Sequence, residues 1–166
     1  MNILKGILFF IGLFVLSRLV PHPPNFTPII AAIIFLPFIS NSKLGMALPI
    51  AVMLVSDLII GFHGQMFWVY GSFLLISLSS YIFYLPKFSR VLTLSILSPT
   101  LFYLITNFGV WMGSPMYDQS LTGLFTSYVF ALPFFANSLM SSILFVSSFF
   151  LIFKIYINQD LLINKA

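Results

Sequence analysis

A few polar breaks divide this chain into apolar runs long enough to cross a lipid bilayer, and no other feature constrains the fold as strongly. Hydrophobic residues make up 60% of the sequence and charged residues only 6%, whereas a water-soluble domain usually carries about 25% charged residues. So few charges cannot cover a water-exposed surface, and lipid must be the solvent for most side chains. We expect one integral membrane domain over residues 1–166.

The apolar runs predict an all-α, polytopic membrane bundle of about six helices. A membrane helix needs about 20 apolar residues to cross a hydrocarbon core of roughly 30 Å. The segment Thr122–Phe135 contains Pro133 and several polar residues, so we expect an interfacial or partly inserted helix at 122–135. The six expected spans are Ile3–Val20, Pro28–Ile39, Leu44–Ile60, Met66–Leu85, Val91–Phe108 and Ser138–Ile157. The first lacks a small-x-small cleavage site, so we interpret it as a span and not a signal peptide.

Basic residues predict the orientation, because cytoplasmic loops carry an excess of Lys and Arg. With six spans and a cytoplasmic N-terminus, only Arg18 of the seven basic residues falls outside. The six predicted on the cytoplasmic side are Lys5, Lys43, Lys87, Arg90, Lys154 and Lys165. A seventh crossing at 122–135 would reduce this asymmetry to four against three. We therefore expect both termini to be cytoplasmic.

This orientation places the polar chemistry in the outer connections, which read PHPPNFT, GFHGQ and GVWMGSPMYDQS. The inner connections are short and mainly basic. We expect a binding site for a small molecule on the outer side. Its candidate residues are His22, Asn25, Phe26, His63, Tyr70, Asn107, Trp111, Tyr117 and Tyr128.

Asp57 is the most informative single residue, because a carboxylate within a membrane span is costly and usually functional. It lies near the outer end of the third span, and Arg18 lies at a similar depth in the first. We predict that they form an ion pair that ties these spans together. The alternative is that each side chain reaches the interface separately.

His22 and His63 are the only side chains that ordinarily titrate near neutral pH. With Asp57 they could in principle bind a metal. However, Asp57 and His63 are six residues apart and do not share a helical face. We favour contact with a ligand or with loop atoms, and assign no metal site and no cofactor.

Asn107 and Trp111 together suit a small, partly polar ligand that contains a ring, since they combine hydrogen-bonding groups with a flat apolar surface. The competing interpretation is an aromatic belt at the membrane interface with Asn107 as a cap. Gly109-x-x-x-Gly113 matches a helix-packing motif, but we expect it to lie in a loop and to be accidental.

Several function classes are excluded. The sequence has no cysteine, no Glu and no nucleophile, zinc-protease or phosphate-loop motif, so we do not expect an enzyme. The scattered basic residues form no stripe that would bind nucleic acid.

Four strings carry a resemblance that covers most of the chain. They are RLVPHPPNFTPIIA (18–31), LVSDLIIGFH (54–63), LITNFGVWMGSPMY (104–117) and GLFTSYVFALPFFANSL (123–139). The sequence resembles an uncharacterised family of small bacterial membrane proteins described only as putative transport proteins. That family is similar to the S components of energy-coupling factor (ECF) vitamin transporters. The resemblance implies a location in the inner (cytoplasmic) membrane of a bacterium.

The resemblance implies a pocket for a vitamin-like micronutrient, open to the outside and capped by outer loops, with an ATPase-driven transporter module as a partner. S components usually dock through an Ala-x-x-x-Ala surface in the first span, whereas this span offers only Gly6 and Gly12. The alternatives are a structural or assembly protein that acts through protein contacts and, with less support, a metal-handling or enzymatic protein that uses His22, Asp57 and His63.

Overall fold

The computed structural model describes residues 12, 14–39, 47–83, 85 and 87–163. These residues form helices and connecting loops and contain no strand, so the predicted all-α class is confirmed for this part of the chain. Lys5, Gly6, Lys43 and Lys165 lie outside it, as does most of the first expected span. The helices are α1 (helical at 14–19), α2 (Ile29–Ile39), α3 (Leu48–Ile60), α4 (Met66–Ile82), α5 (Phe88–Gly113) and α6 (Leu121–Ile163).

Two of these helices are long and apolar enough to cross a membrane, at Phe88–Gly113 and Leu121–Ile155. Helices α3 and α4 are also apolar but have only 13 and 17 residues. The helices α2 to α5 coincide closely with four of the expected spans, so the apolar runs do predict helices.

Residues 122–135 do not form a separate helix, and this part of the predicted fold is wrong. They are the first third of α6, a continuous helix of 43 residues. Two of the polar side chains that argued against a full membrane crossing are satisfied locally. Thr126 Oγ1 donates to the carbonyl of Thr122 at 2.7 Å and Ser127 Oγ to that of Leu124 at 2.7 Å. Such bonds remove most of the cost of placing a hydroxyl in an apolar environment.

Helices α5 and α6 pack as an antiparallel pair. Next to their connecting loop, Trp111 Nε1 donates to the carbonyl of Asp118 at 3.0 Å. At the far end, the rings of Phe88 and Phe150 have centroids 5.3 Å apart. α5 therefore lies alongside residues 121–150 of α6. The predicted sixth span, Ser138–Ile157, begins too late in the chain to face all of α5.

Large apolar side chains cover the surface, while small polar ones occupy much of the interior. Leu58, Phe67, Leu121 and Phe125 are each more than two-thirds exposed. Among the described residues, the buried polar ones other than Asp57 are all serines, at positions 56, 72, 77, 80, 95, 98, 127, 138, 141 and 142. Small side chains let helices approach closely where lipid, and not water, surrounds them.

Helix α2 occupies the centre and packs against α4, α5 and α6. Of its described side chains all but Ala32 are buried, so burial is not confined to one stripe, which is typical of a core helix. The buried residues of α2 include Ile29, Ile30, Ala31, Ile33, Ile34 and Phe35. Because α2 is central, the loop that precedes it is brought over the middle of the bundle.

The Gly109-x-x-x-Gly113 motif lies within α5 and not in a loop, contrary to our expectation. A Cβ atom added at Gly109 would be 2.2 Å from Trp68 Cγ, and one at Gly113 would be 3.8 Å from Gln65 Nε2. Both glycines therefore face the start of α4. The absence of side chains at these positions allows the Trp68 ring to lie directly on the α5 backbone.

Candidate functional site: two adjoining cavities beside the Arg18–Asp57 pair

Arg18 and Asp57 form a salt bridge between the end of α1 and the last turn of α3. Arg18 Nη1 lies 2.6 Å from Asp57 Oδ1, and the same nitrogen donates to the hydroxyl of Ser56. The side chain of Asp57 is fully buried, whereas that of Arg18 is 17% exposed. The buried carboxylate therefore has a charged partner, without which its desolvation would be strongly unfavourable.

The second oxygen of Asp57 is occupied from another direction. Tyr70 Oη, on α4, donates to Asp57 Oδ2 at 2.5 Å. His63 Nε2 is 3.8 Å from the same oxygen, too far for a hydrogen bond but close enough for an electrostatic interaction. Asp57, in α3, thus links this helix to α1 and α4. The hydroxyl of Tyr70 is one of the groups that bond to its carboxylate.

A cavity of about 340 Å³ lies beside this network. Its volume falls within the usual range for small-molecule sites. The lining residues are Arg18, His22, Asn25, Thr27, Ile29, Ile30, Met53, Ile60, His63, Val69, Phe73, Phe102 and Ser138. The wall therefore combines apolar side chains with a few polar ones. We call it the arginine cavity.

A second cavity of about 200 Å³ adjoins the first. It is lined by Asn25, Gln65, Val69, Phe102, Tyr103, Thr106, Asn107, Val110, Ala131, Phe134, Phe135 and Ser138. Asn25, Val69, Phe102 and Ser138 line both cavities, so the two share walls. We call the second one the glutamine cavity, after Gln65. The Oε1 atom of Gln65 is buried and has no hydrogen-bond partner among the described residues.

The loop between α1 and α2 covers part of the arginine cavity. The amide of Phe26 donates to the carbonyl of Pro23 at 2.9 Å, which closes a tight turn. Asn25, the third residue of this turn, has a φ of 62°, a left-handed conformation that Asn adopts more readily than most residues. The turn places Asn25 in the walls of both cavities.

Helix α6 holds this loop in place. Asn137 Nδ2 donates to the carbonyl of Pro24 at 3.0 Å, across 113 residues of sequence. The ring of Phe26 also packs edge-on against Phe145 of α6, with centroids 6.1 Å apart. Phe26, predicted to bind substrate, thus contacts α6 in this structure.

The structure brings four of the nine predicted binding residues to the cavities. His22, Asn25 and His63 line the arginine cavity, and Asn25 and Asn107 line the glutamine cavity. The amide of Asn107 also donates to the carbonyl of Tyr103 at 2.7 Å, one turn earlier in α5. His22 Nδ1 is bonded to the carbonyl of Pro23 at 2.8 Å.

The remaining aromatic candidates lie in helix contacts and in the α5–α6 loop, and do not line either cavity. Tyr128 Oη donates to the carbonyl of Leu104 at 2.9 Å, so it joins α6 to α5. Trp111 is bonded to the α5–α6 loop, and its ring packs on that of Phe108 with centroids 5.5 Å apart. Tyr117 is half-buried in the same loop.

Sequence analysis missed several cavity residues. Phe73 and Phe102 are stacked, with centroids 5.2 Å apart and planes at 18°, and both line the arginine cavity. They lie inside apolar runs among many other phenylalanines, so no local signal separates them from lipid-facing rings. Gln65 and Asn137 could have been suspected, since each is an amide beside or within an apolar run.

No three histidine or carboxylate side chains come together at a possible metal site in the described part of the chain. Asp57 and His63 do approach each other, but His22 does not complete a ligand set with them. The geometry therefore offers the metal-handling alternative no support within these residues.

Comparisons with known proteins establish the family alone. No curated protein and no solved structure matches the chain. Residues 2–162 match the model of a family of unknown function, DUF6580, and this chain belongs to that family.

Proposed function

We propose that this protein is a membrane-embedded binding protein for the uptake of a small, ring-containing micronutrient, comparable to the S component of an ECF transporter. The observation that carries the proposal is the pair of adjoining cavities, which residues of α1 to α6 and of the loops before α2 and α4 line. Apolar walls with a few convergent polar groups are typical of small-molecule sites. Uptake would require no covalent chemistry from the chain.

The proposal includes a six-span topology with both termini in the bacterial cytoplasm. It is supported by the apolar surface, the serine-rich interior and the distribution of basic residues. In this topology the cavities face outward, because His22, His63 and Gln65 belong to outer connections. The loop held by Asn137 then covers the entrance from the periplasmic or external side.

Native mass spectrometry of the purified protein is the direct test of binding. A small molecule retained from the cell, or taken up from a panel of micronutrients, would appear as a mass increase. Val69→Phe is the informative variant, since Val69 lines both cavities and a larger ring would occupy their shared space. We expect this variant to lose the adduct while remaining folded.

Leu75→Phe is the matched control, because Leu75 lies on the same helix but is 48% exposed. It should retain the adduct at the wild-type level. The proposal would be overturned by a folded wild-type protein that carries no adduct and binds none of the panel. A protein partner at fixed stoichiometry, with empty cavities, would instead favour the structural or assembly alternative.

A further inference from the structure

We infer that the cavities take a small carboxylate whose opposite end carries a hydrogen-bond donor, with Arg18 binding the carboxylate and Gln65 accepting from the donor. This inference rests on the proposed function and specifies the chemistry of its ligand. It is supported by two independent features, one at each cavity.

The first feature is the one-sided exposure of the Arg18–Asp57 pair. Arg18 lines the arginine cavity, whereas Asp57, Ser56 and Tyr70 do not. His22 and His63 also line it, and the described residues that line the two cavities include no carboxylate. The cavity therefore meets the cationic partner of the pair, while the anionic partner is sealed behind it. An anionic ligand group suits this arrangement better than a cationic one.

The hydrogen bonds of Arg18 strengthen this argument. Its bonds to Met53, Ser56 and Asp57 all start from Nη1. Nε and Nη2 have no partner among the described residues. In a guanidinium, the N–H of Nε and one N–H of Nη2 point in parallel, and this edge matches the two oxygens of a carboxylate. Asp57 fixes the guanidinium and leaves that edge for a ligand.

The second feature is the buried, unpartnered Oε1 atom of Gln65, a residue that lines the adjoining cavity. An acceptor that is buried without a partner is unfavourable, because its hydrogen bond to water is lost and not replaced. A ligand N–H or O–H group in the glutamine cavity would remove this cost on binding. Between the two ends, the stacked rings of Phe73 and Phe102 and the side chain of Val69 provide an apolar wall for the body of the ligand.

The test measures binding to the purified full-length protein by isothermal titration with matched probes. Three probes present a carboxylate and a phenolic hydroxyl at increasing separations: para-hydroxybenzoate, para-hydroxyphenylacetate and para-hydroxyphenylpropionate. For each, one analogue lacks the hydroxyl and another replaces the carboxylate by a carboxamide. For the best-fitting length, we expect each change to weaken binding about tenfold, the factor that corresponds to 1.4 kcal/mol.

Two variants separate the ends of the site. Gln65→Met keeps the length of the side chain but removes the acceptor, and should abolish the preference for the hydroxyl while leaving the preference for the carboxylate. Arg18→Lys keeps the positive charge but loses the paired N–H edge. It should abolish the preference for the carboxylate while leaving the preference for the hydroxyl. Since Arg18→Lys could fold poorly through its effect on Asp57, the Gln65→Met comparison stands alone as a test.

The identity of any retained cellular ligand provides the second readout. A carboxylic acid with a distal N–H or O–H group would support the inference. A neutral or cationic ligand, or carboxamides that bind as tightly as carboxylates at every length, would overturn it and leave the uptake proposal intact. A protein that binds no probe and retains no cellular molecule would overturn both.

Discussion

Arg18 Nη1 lies 2.6 Å from Asp57 Oδ1, and this contact joins residues 39 positions apart at the end of the bundle where both cavities lie. The carboxylate is inaccessible to solvent, while the guanidinium forms part of a cavity wall. The same pair therefore serves the packing of α1 against α3 and the chemistry of the proposed site. Its contribution to stability and the topology of the chain can be measured in separate experiments.

A double-mutant cycle with Arg18→Met and Asp57→Leu should show strong coupling. Each single substitution leaves one charge without its partner, and we expect a loss of about 3 to 5 kcal/mol in the free energy of unfolding. The double variant should be less destabilised than the sum of the singles by at least about 1 kcal/mol. Reversible unfolding in detergent measures all four proteins. Strictly additive losses would contradict an energetic role for the pair.

Tyr70→Phe should destabilise the protein by about 1.5 to 3 kcal/mol, the usual contribution of a hydrogen bond to a charged group. The substitution removes the hydroxyl that donates to Asp57 Oδ2 and leaves the ring in place. Tyr117→Phe is the control, because the Tyr117 hydroxyl has no bond within the described residues. Equal stability of the two variants would show that the Tyr70 hydroxyl contributes little.

Gly109→Ala should disrupt the contact between α4 and α5. The new Cβ would lie 2.2 Å from Trp68 Cγ, so the indole must move, at a cost of about 1 to 3 kcal/mol for an overpacked site. Trp68→Leu in the same chain should recover part of this loss. Gly71→Ala meets no atom within 4 Å and should be neutral or slightly stabilising, because Ala favours helix.

Single cysteines can test the proposed topology, since the sequence contains none. Cysteines at Gly64 and Met116 should react with a membrane-impermeant maleimide in intact spheroplasts, because both belong to outer connections. A cysteine at Lys87 should react only after the membrane is permeabilised. Labelling of all three positions from one side, or the reverse pattern, would refute the six-span orientation.

Asn137→Ala should loosen the loop that precedes α2 without unfolding the bundle. The substitution removes the bond from α6 to the carbonyl of Pro24. We expect faster hydrogen exchange at the Phe26 amide, by about a factor of ten if the bond contributes 1.4 kcal/mol to loop closure. Ser148→Ala, an exposed position on the same helix, should leave exchange in the loop unchanged. No difference between the two variants would mean that Asn137 does not hold the loop.

The local features of the fold could be predicted because they depend on patterns along the chain. Apolar runs between polar breaks predict the helices α2 to α5 closely. The failure at 122–135 also has a local cause, because hydroxyl groups there were counted as unfavourable although they bond to their own helix. The lengths of the apolar runs that contain Arg18 and Asp57 predict that the two residues lie at a similar depth.

The sequence by itself determined that the chain is helical and that its surface is apolar, and it predicted that the histidines and the loop aromatics lie on one side. Tertiary structure alone decided which of these groups meet. Phe73, Phe102, Gln65 and Ser138 lie on different elements, and nothing in the spacing of residues brings them to common cavities. The reason is physical, because periodicity specifies only which face of a helix is apolar. A cavity depends on the angles and registers at which several helices pack. Close contacts such as that of Gly109 with Trp68 set those registers.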